Sequence, residues 1–141
     1  MAQTTFSGPV KSDNGFIGDV VGNVTGNVTG NISGTVTGTV VQPVSAVTAA
    51  GTNLSTATAL SNGINVVGGA DGTKGVKLPA AVAGTTIRVY SSVATNGLVV
   101  YANTGDTING GASVTMEGPA WLEAVATTAD VWLTTIYTAD A

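Results

Sequence analysis

From Gly22 to Gly38 the chain reads GNVTGNVTGNISGTVTG, a rhythm of four that few structures can use. Glycine falls at Gly18, Gly22, Gly26, Gly30, Gly34 and Gly38, with an apolar residue midway at Val20, Val24, Val28, Ile32, Val36 and Val40. Four is twice the strand period, so in an extended chain every glycine and every valine points to one side. Asn23, Thr25, Asn27, Thr29, Asn31, Ser33, Thr35 and Thr37 then point to the other. A helix would smear the valines around its cylinder and lose about 1 kcal/mol at each glycine relative to Ala. Collagen requires glycine at every third position.

A lone strand of this kind can neither hide its valines nor satisfy its backbone, so it must pair. Three copies packed about a shared axis, with Val24, Val28, Ile32 and Val36 on that axis, meet the requirement. Residues 18–42 are therefore predicted to form a trimeric β-stalk or an arm, reaching at most about 66 Å from Gly18 to Gly38 at roughly 3.3 Å per residue. A glycine-rich flexible linker is the competing reading, but linkers do not place a β-branched residue at every fourth position.

Residues 1–17 form a short head and 43–51 a linker of small residues. Residues 52–141 read as a β-domain. Turn dipeptides at Asn62-Gly63, Asp71-Gly72, Asn96-Gly97 and Asn109-Gly110 punctuate it. The runs 64–67, 75–78, 86–91, 98–102, 113–117, 121–126 and 131–137 are predicted strands, and their number suggests a small antiparallel β-sandwich, jelly roll or barrel, trimeric with the stalk. The fold class is all-β. In Ile87-Arg88-Val89-Tyr90 and Trp121-Leu122-Glu123-Ala124-Val125 neither parity is cleanly polar. One face is expected in the internal core and the other against a neighbouring subunit.

Composition supports self-assembly. Only 9% of the 141 residues are charged and 43% are hydrophobic, yet aromatics make up just 5%. The net charge is −4 and the cations Lys11, Lys74, Lys77 and Arg88 are scattered, so no basic patch is present to displace counterions from nucleic acid. With neither cysteine nor histidine, disulfides, thiolate nucleophiles, Cys/His zinc sites and a Ser-His-Asp triad are excluded. The N-terminus lacks the basic and apolar regions of a secretory signal, and no apolar run is long enough to span a membrane. No cofactor or metal is expected.

Chemistry-bearing candidates are few. Glu117 and Glu123 flank Gly118-Pro119 and could form a carboxylate pair of the glycosidase type, although two surface glutamates near a turn are the commoner arrangement. Asp106 could contribute to a calcium site, but a turn aspartate accepting a backbone N–H is favoured. The glycines of Val66-Val67-Gly68-Gly69-Ala70-Asp71-Gly72 lack the Lys-Ser/Thr of a phosphate loop. Trp121 and Trp132 could stack on a sugar, but are favoured as core or interface anchors. Sequons at Asn23, Asn27, Asn31 and Asn53 are read as accidents of composition in a chain without a secretory signal.

The opening Thr5-Phe6-Ser7-Gly8-Pro9-Val10, then Asn14-Gly15-Phe16-Ile17-Gly18-Asp19-Val20 and the Gly-Asn-Val-Thr repeat, resembles small virion structural proteins of tailed bacteriophages. Residues Gly75 to Gly84, and Leu98-Val99-Val100-Tyr101 leading to Gly105-Asp106-Thr107-Ile108-Asn109-Gly110, are similar to a β-domain of head-decoration, head-fibre and tail-associated proteins. Ala102 stands where that pattern would place a proline.

The resemblance implies a non-enzymatic homotrimer on the capsid exterior, made in the host cytoplasm and binding the major capsid protein. Phe6, Pro9, Phe16 and Ile17, the large apolar residues before the repeat, are the expected capsid anchor. Phe16 and Ile17 could equally plug the base of the stalk. A tail or head fibre contacting a host surface is the alternative. A carbohydrate-binding module, with a host surface glycan as partner, is the reading from another class.

Overall fold

The computed structural model describes residues 35–93 and 96–138. The chain divides into two units, Met1–Thr37 and Gly38–Ala141, and the described residues lie almost wholly in the second. The head residues Phe6, Pro9, Phe16 and Ile17 and the repeat residues Val24, Val28 and Ile32 fall outside the described residues. Val36 falls within them and is exposed.

The second unit is all-β. Its strands are β1 (Val44–Thr48), β2 (Thr58–Ala59), β3 (Gly63–Gly68), β4 (Gly75–Lys77), β5 (Thr86–Ser91), β6 (Leu98–Tyr101), β7 (Thr107–Ile108), β8 (Ser113–Met116), β9 (Ala120–Ala126) and β10 (Val131–Thr138). A six-stranded sheet has the order β1-β3-β5-β9-β10-β7, and a four-stranded sheet the order β2-β4-β6-β8. From β1 to β6 the chain alternates between the two sheets, and each strand lies parallel to the one a full circuit earlier. Val44 sits beside Ile64 and Ile64 beside Arg88, so successive circuits advance 20 and then 24 residues.

This winding is a β-solenoid, and it corrects the expectation of an antiparallel sandwich, jelly roll or barrel. The physical reason lies in the turns. A glycine with positive φ serves a corner between two sheets as well as it serves a hairpin. Gly72, at φ 86°, belongs to the corner between β3 and β4, which lie in different sheets. By contrast, Asn109 (φ 51°) and Gly110 (φ 80°) make a true two-residue hairpin turn, closed by reciprocal bonds between Ile108 and Gly111 of 2.7 and 2.8 Å. The linker expected over residues 43–51 contains β1, the first strand of the parallel ladder.

The parallel ladder stops at β5, where β9 pairs antiparallel and β10 folds back on β9. In the other sheet β8 closes β6 in the same way. One contiguous core joins both sheets, with Val67, Val89 and Leu122 from the larger and Val76, Leu98, Val100 and Met116 from the smaller, all fully buried. Trp132 is also fully buried, beside Ala126 of β9 and Ile108 of β7 in register. The small residues of β9 (Ala120, Ala124 and Ala126, all buried) leave room in the layer for such bulk. Asn65 is buried too, and its amide is paired at both ends with the backbone of Ser61, Oδ1 accepting from N–H at 3.2 Å and Nδ2 donating to C=O at 2.9 Å.

Candidate functional site: the outward face of the six-stranded sheet

Strand alternation sends every second residue of the larger sheet outwards, and the registers gather these residues into rows. One row crosses five strands as Ala46, Val66, Tyr90, Trp121 and Tyr137. The next crosses them as Val44, Ile64, Arg88, Glu123 and Thr135, and a shorter one as Thr86, Val125 and Leu133. Each of these residues is partly or fully exposed. Tyr90 and Trp121 pack ring against ring, and Trp121 and Tyr137 remain 41% and 57% exposed. Arg88, Trp121, Leu122, Glu123 and Tyr137 line an open depression of about 370 Å³.

Arg88 and Glu123 are the only charged residues in these rows. They are direct cross-strand partners, and Nε and Nη2 of Arg88 both donate to Glu123 Oε1, at 3.1 and 3.0 Å. Glu123 Oε2 and Arg88 Nη1 have no hydrogen-bond partner among the described residues. The arrangement is a small donor–acceptor pair set beside an aromatic surface.

The outward face of the smaller sheet is different. It carries Lys77, Val99, Ser113 and Thr115, and the Tyr101 hydroxyl is engaged with the Thr52 carbonyl at 3.0 Å. Gly75 lies beneath the Tyr101 ring, where a Cβ would come 2.6 Å from the ring and 2.7 Å from the Val99 carbonyl. Part of this face is thus covered by its own chain.

The geometry separates the two tryptophans. Trp132 is buried and cannot serve a surface, whereas Trp121 lies at the centre of the exposed rows. Glu117 and Glu123 are not brought together either. Glu117 lies two residues beyond outward-facing Thr115 of the smaller sheet, while Glu123 faces outward from the larger, so the core stands between them at a sheet spacing of about 10 Å.

Asp106 accepts a hydrogen bond from the backbone N–H of Ala81 at 2.9 Å, so it ties two distant loops. Among the described residues no group of three or more His, Cys, Asp or Glu side chains is placed to hold a metal. Asp71 accepts from the Thr73 hydroxyl and the Lys74 and Thr73 backbone N–H groups. These bonds, led by Thr73, and the Lys74 ammonium hold its carboxyl far below the usual range. Asn53 is engaged in its own turn, its Oδ1 accepting from the N–H groups of Ser55 and Thr56.

Sequence reasoning did not select Arg88, Tyr90 or Tyr137 as site residues. The available signal was parity: Arg88 and Tyr90 share one face of a strand, as do Trp121 and Glu123. Comparison with protein-family models, curated proteins and solved structures finds no significant match to this chain.

Proposed function

We propose that this chain is a non-enzymatic virion structural protein of a tailed bacteriophage, a homotrimeric decoration protein on the capsid exterior. The observation that carries the reading is the apolar, aromatic face of the six-stranded sheet, following a repeat whose valine phase, Val36, Val40 and Val44, runs on into β1. The described residues leave Val44, Trp121, Val125, Leu133 and Tyr137 exposed, apolar surface that a partner can bury. Burial releases about 25 cal/mol per Å² before association costs, and attachment at several points adds avidity.

In this reading residues 1–17 anchor the chain to the major capsid protein and the bridging of adjacent capsomers resists expansion of the head. Sedimentation with capsid shells tests it, since deletion of residues 1–17 should abolish co-sedimentation. Retained binding would reject the head as the anchor. Copy number per particle separates decoration from a fibre, with hundreds favouring the first and a few dozen or fewer the second.

A glycan-binding reading is favoured by one observation, the exposed Trp121 beside the Arg88–Glu123 pair. It requires polysaccharide binding that disappears in Trp121→Ala while folding is kept.

A further inference from the structure

We infer that the outward face of the six-stranded sheet is the surface through which copies of this chain pack against one another, with Trp121 and Tyr90 at its centre. The inference rests on the self-association proposed above and not on attachment to a capsid.

Three observations carry it. The first is the contrast between the two sides of the solenoid. The smaller sheet turns Lys77, Ser113 and Thr115 outward beside a single partly exposed valine, Val99, and is partly covered by the chain's own Tyr101–Thr52 contact. The larger sheet turns out rows dominated by Val66, Tyr90, Trp121, Val125, Leu133 and Tyr137, and Leu133 and Tyr137 each stay more than half exposed among the described residues.

The second is size. Five strands at about 4.8 Å spacing and three rows about 7 Å apart project to roughly 400–500 Å². That projection lies within the patch of about 300–600 Å² that a monomer leaves exposed, and side-chain relief raises the accessible area towards the ~800 Å² per partner of a standard interface.

The third is charge. The chain as a whole carries −4, so two copies repel at long range. This face carries one cation and one anion, Arg88 and Glu123, and is neutral. Because both Arg88 bonds go to a single carboxylate oxygen, Oε2 and Nη1 can be met by the complementary atoms of a second copy. A neutral face with one donor and one acceptor is self-complementary, where a strongly acidic or basic partner would find no matching field.

The chain has no cysteine, so a single introduced thiol reports directly on burial. Val125→Cys places it within the exposed rows of the larger sheet, and Ser113→Cys places a control on the smaller sheet. Both variants of the full chain are weighed by light scattering and then alkylated with N-ethylmaleimide, with rates normalised to the unfolded chain. The expected result is a multimer in which Val125→Cys reacts about tenfold or more slowly than Ser113→Cys, because access governs thiol reactivity.

A multimer in which the two thiols react equally overturns the inference and leaves association through the repeat standing. A monomer overturns both this inference and the self-association it rests on. A monomer whose Val125→Cys becomes protected only on adding capsid shells assigns the face to the capsid protein, and one protected only by host surface polysaccharide assigns it to a glycan; either overturns the inference.

Discussion

Tyr90 and Trp121 face each other across β5 and β9, their ring centroids 4.9 Å apart and their planes inclined at 35°. A tilted pair at this spacing contributes roughly 0.5–1.5 kcal/mol beyond simple burial. Here it is formed on an outward face, so the two rings are in place before any partner arrives. Preorganised aromatic surface loses little side-chain entropy on binding.

The two tryptophans should respond oppositely to truncation. Trp132 is fully buried, so Trp132→Ala is expected to cost about 3–5 kcal/mol or prevent folding. Trp121→Ala should keep a native far-UV dichroism spectrum and lose chiefly association. Urea unfolding beside light scattering separates the effects, and equal destabilisation by the two changes would contradict the assignment.

The Arg88–Glu123 pair is half exposed on the arginine side and about a third exposed on the glutamate side. In dilute protein, a double-mutant cycle should give a coupling of no more than about 1 kcal/mol that weakens with salt. At concentrations where copies associate, the coupling should grow and become less salt-sensitive as water leaves the face.

Asp71 makes stability depend on acid. Its folded carboxyl is held below its unfolded value of 3.8, chiefly by the Thr73 hydroxyl, so the folded state binds fewer protons than the unfolded state as pH falls. The stabilisation is therefore full above about pH 4 and is lost progressively below it. Asp71→Asn should flatten the acid limb of a stability-versus-pH curve, and an unchanged limb would show that other carboxylates dominate.

Asn109 combines a positive φ with two bonds to Thr134, Nδ2 donating to Oγ1 at 2.8 Å and Oδ1 accepting from N–H at 2.9 Å. Asn109→Ala removes both bonds and forces a Cβ-bearing residue without polar compensation into the left-handed region. A loss of about 1–3 kcal/mol is expected from denaturant unfolding. Asn109→Asp, which keeps one acceptor, should lose less.

Much of the strand content was legible in the residues. Val-rich runs bounded by Asn-Gly and Asp-Gly located β3, β4, β5, β6, β8, β9 and β10 to within a few residues. Parallel pairing was not, because side-chain alternation has the same period of two in parallel and antiparallel ladders. The circuits also differ in length, Val44 to Ile64 and Ile64 to Arg88, so no fixed repeat marks them. Strand β1 hid among small residues, its pairing set by β3 rather than by its own propensity.

The site was half legible for a related reason. Trp121 and Trp132 are equally apolar in sequence. Their fates diverge because the turn joining β9 and β10 pairs Trp132 with inward Ala126 and Tyr137 with outward Trp121. That register depends on the Thr127–Val131 closure, where the Thr127 N–H donates to the Val131 carbonyl at 2.9 Å. No composition or spacing rule specifies it.

Among the described residues the solenoid is closed at one end. Antiparallel β9 and β8 terminate the two ladders after β5 and β6, whereas β1 and β2 stand at the opposite edges. Such an object has a direction and an adjustable length. A further circuit of some twenty residues introduced between β1 and β5 would raise it by about 4.8 Å, leaving the closing hairpin unchanged. The fold thus lets height be tuned separately from the closed end, as courses of brick can be added below a finished cornice.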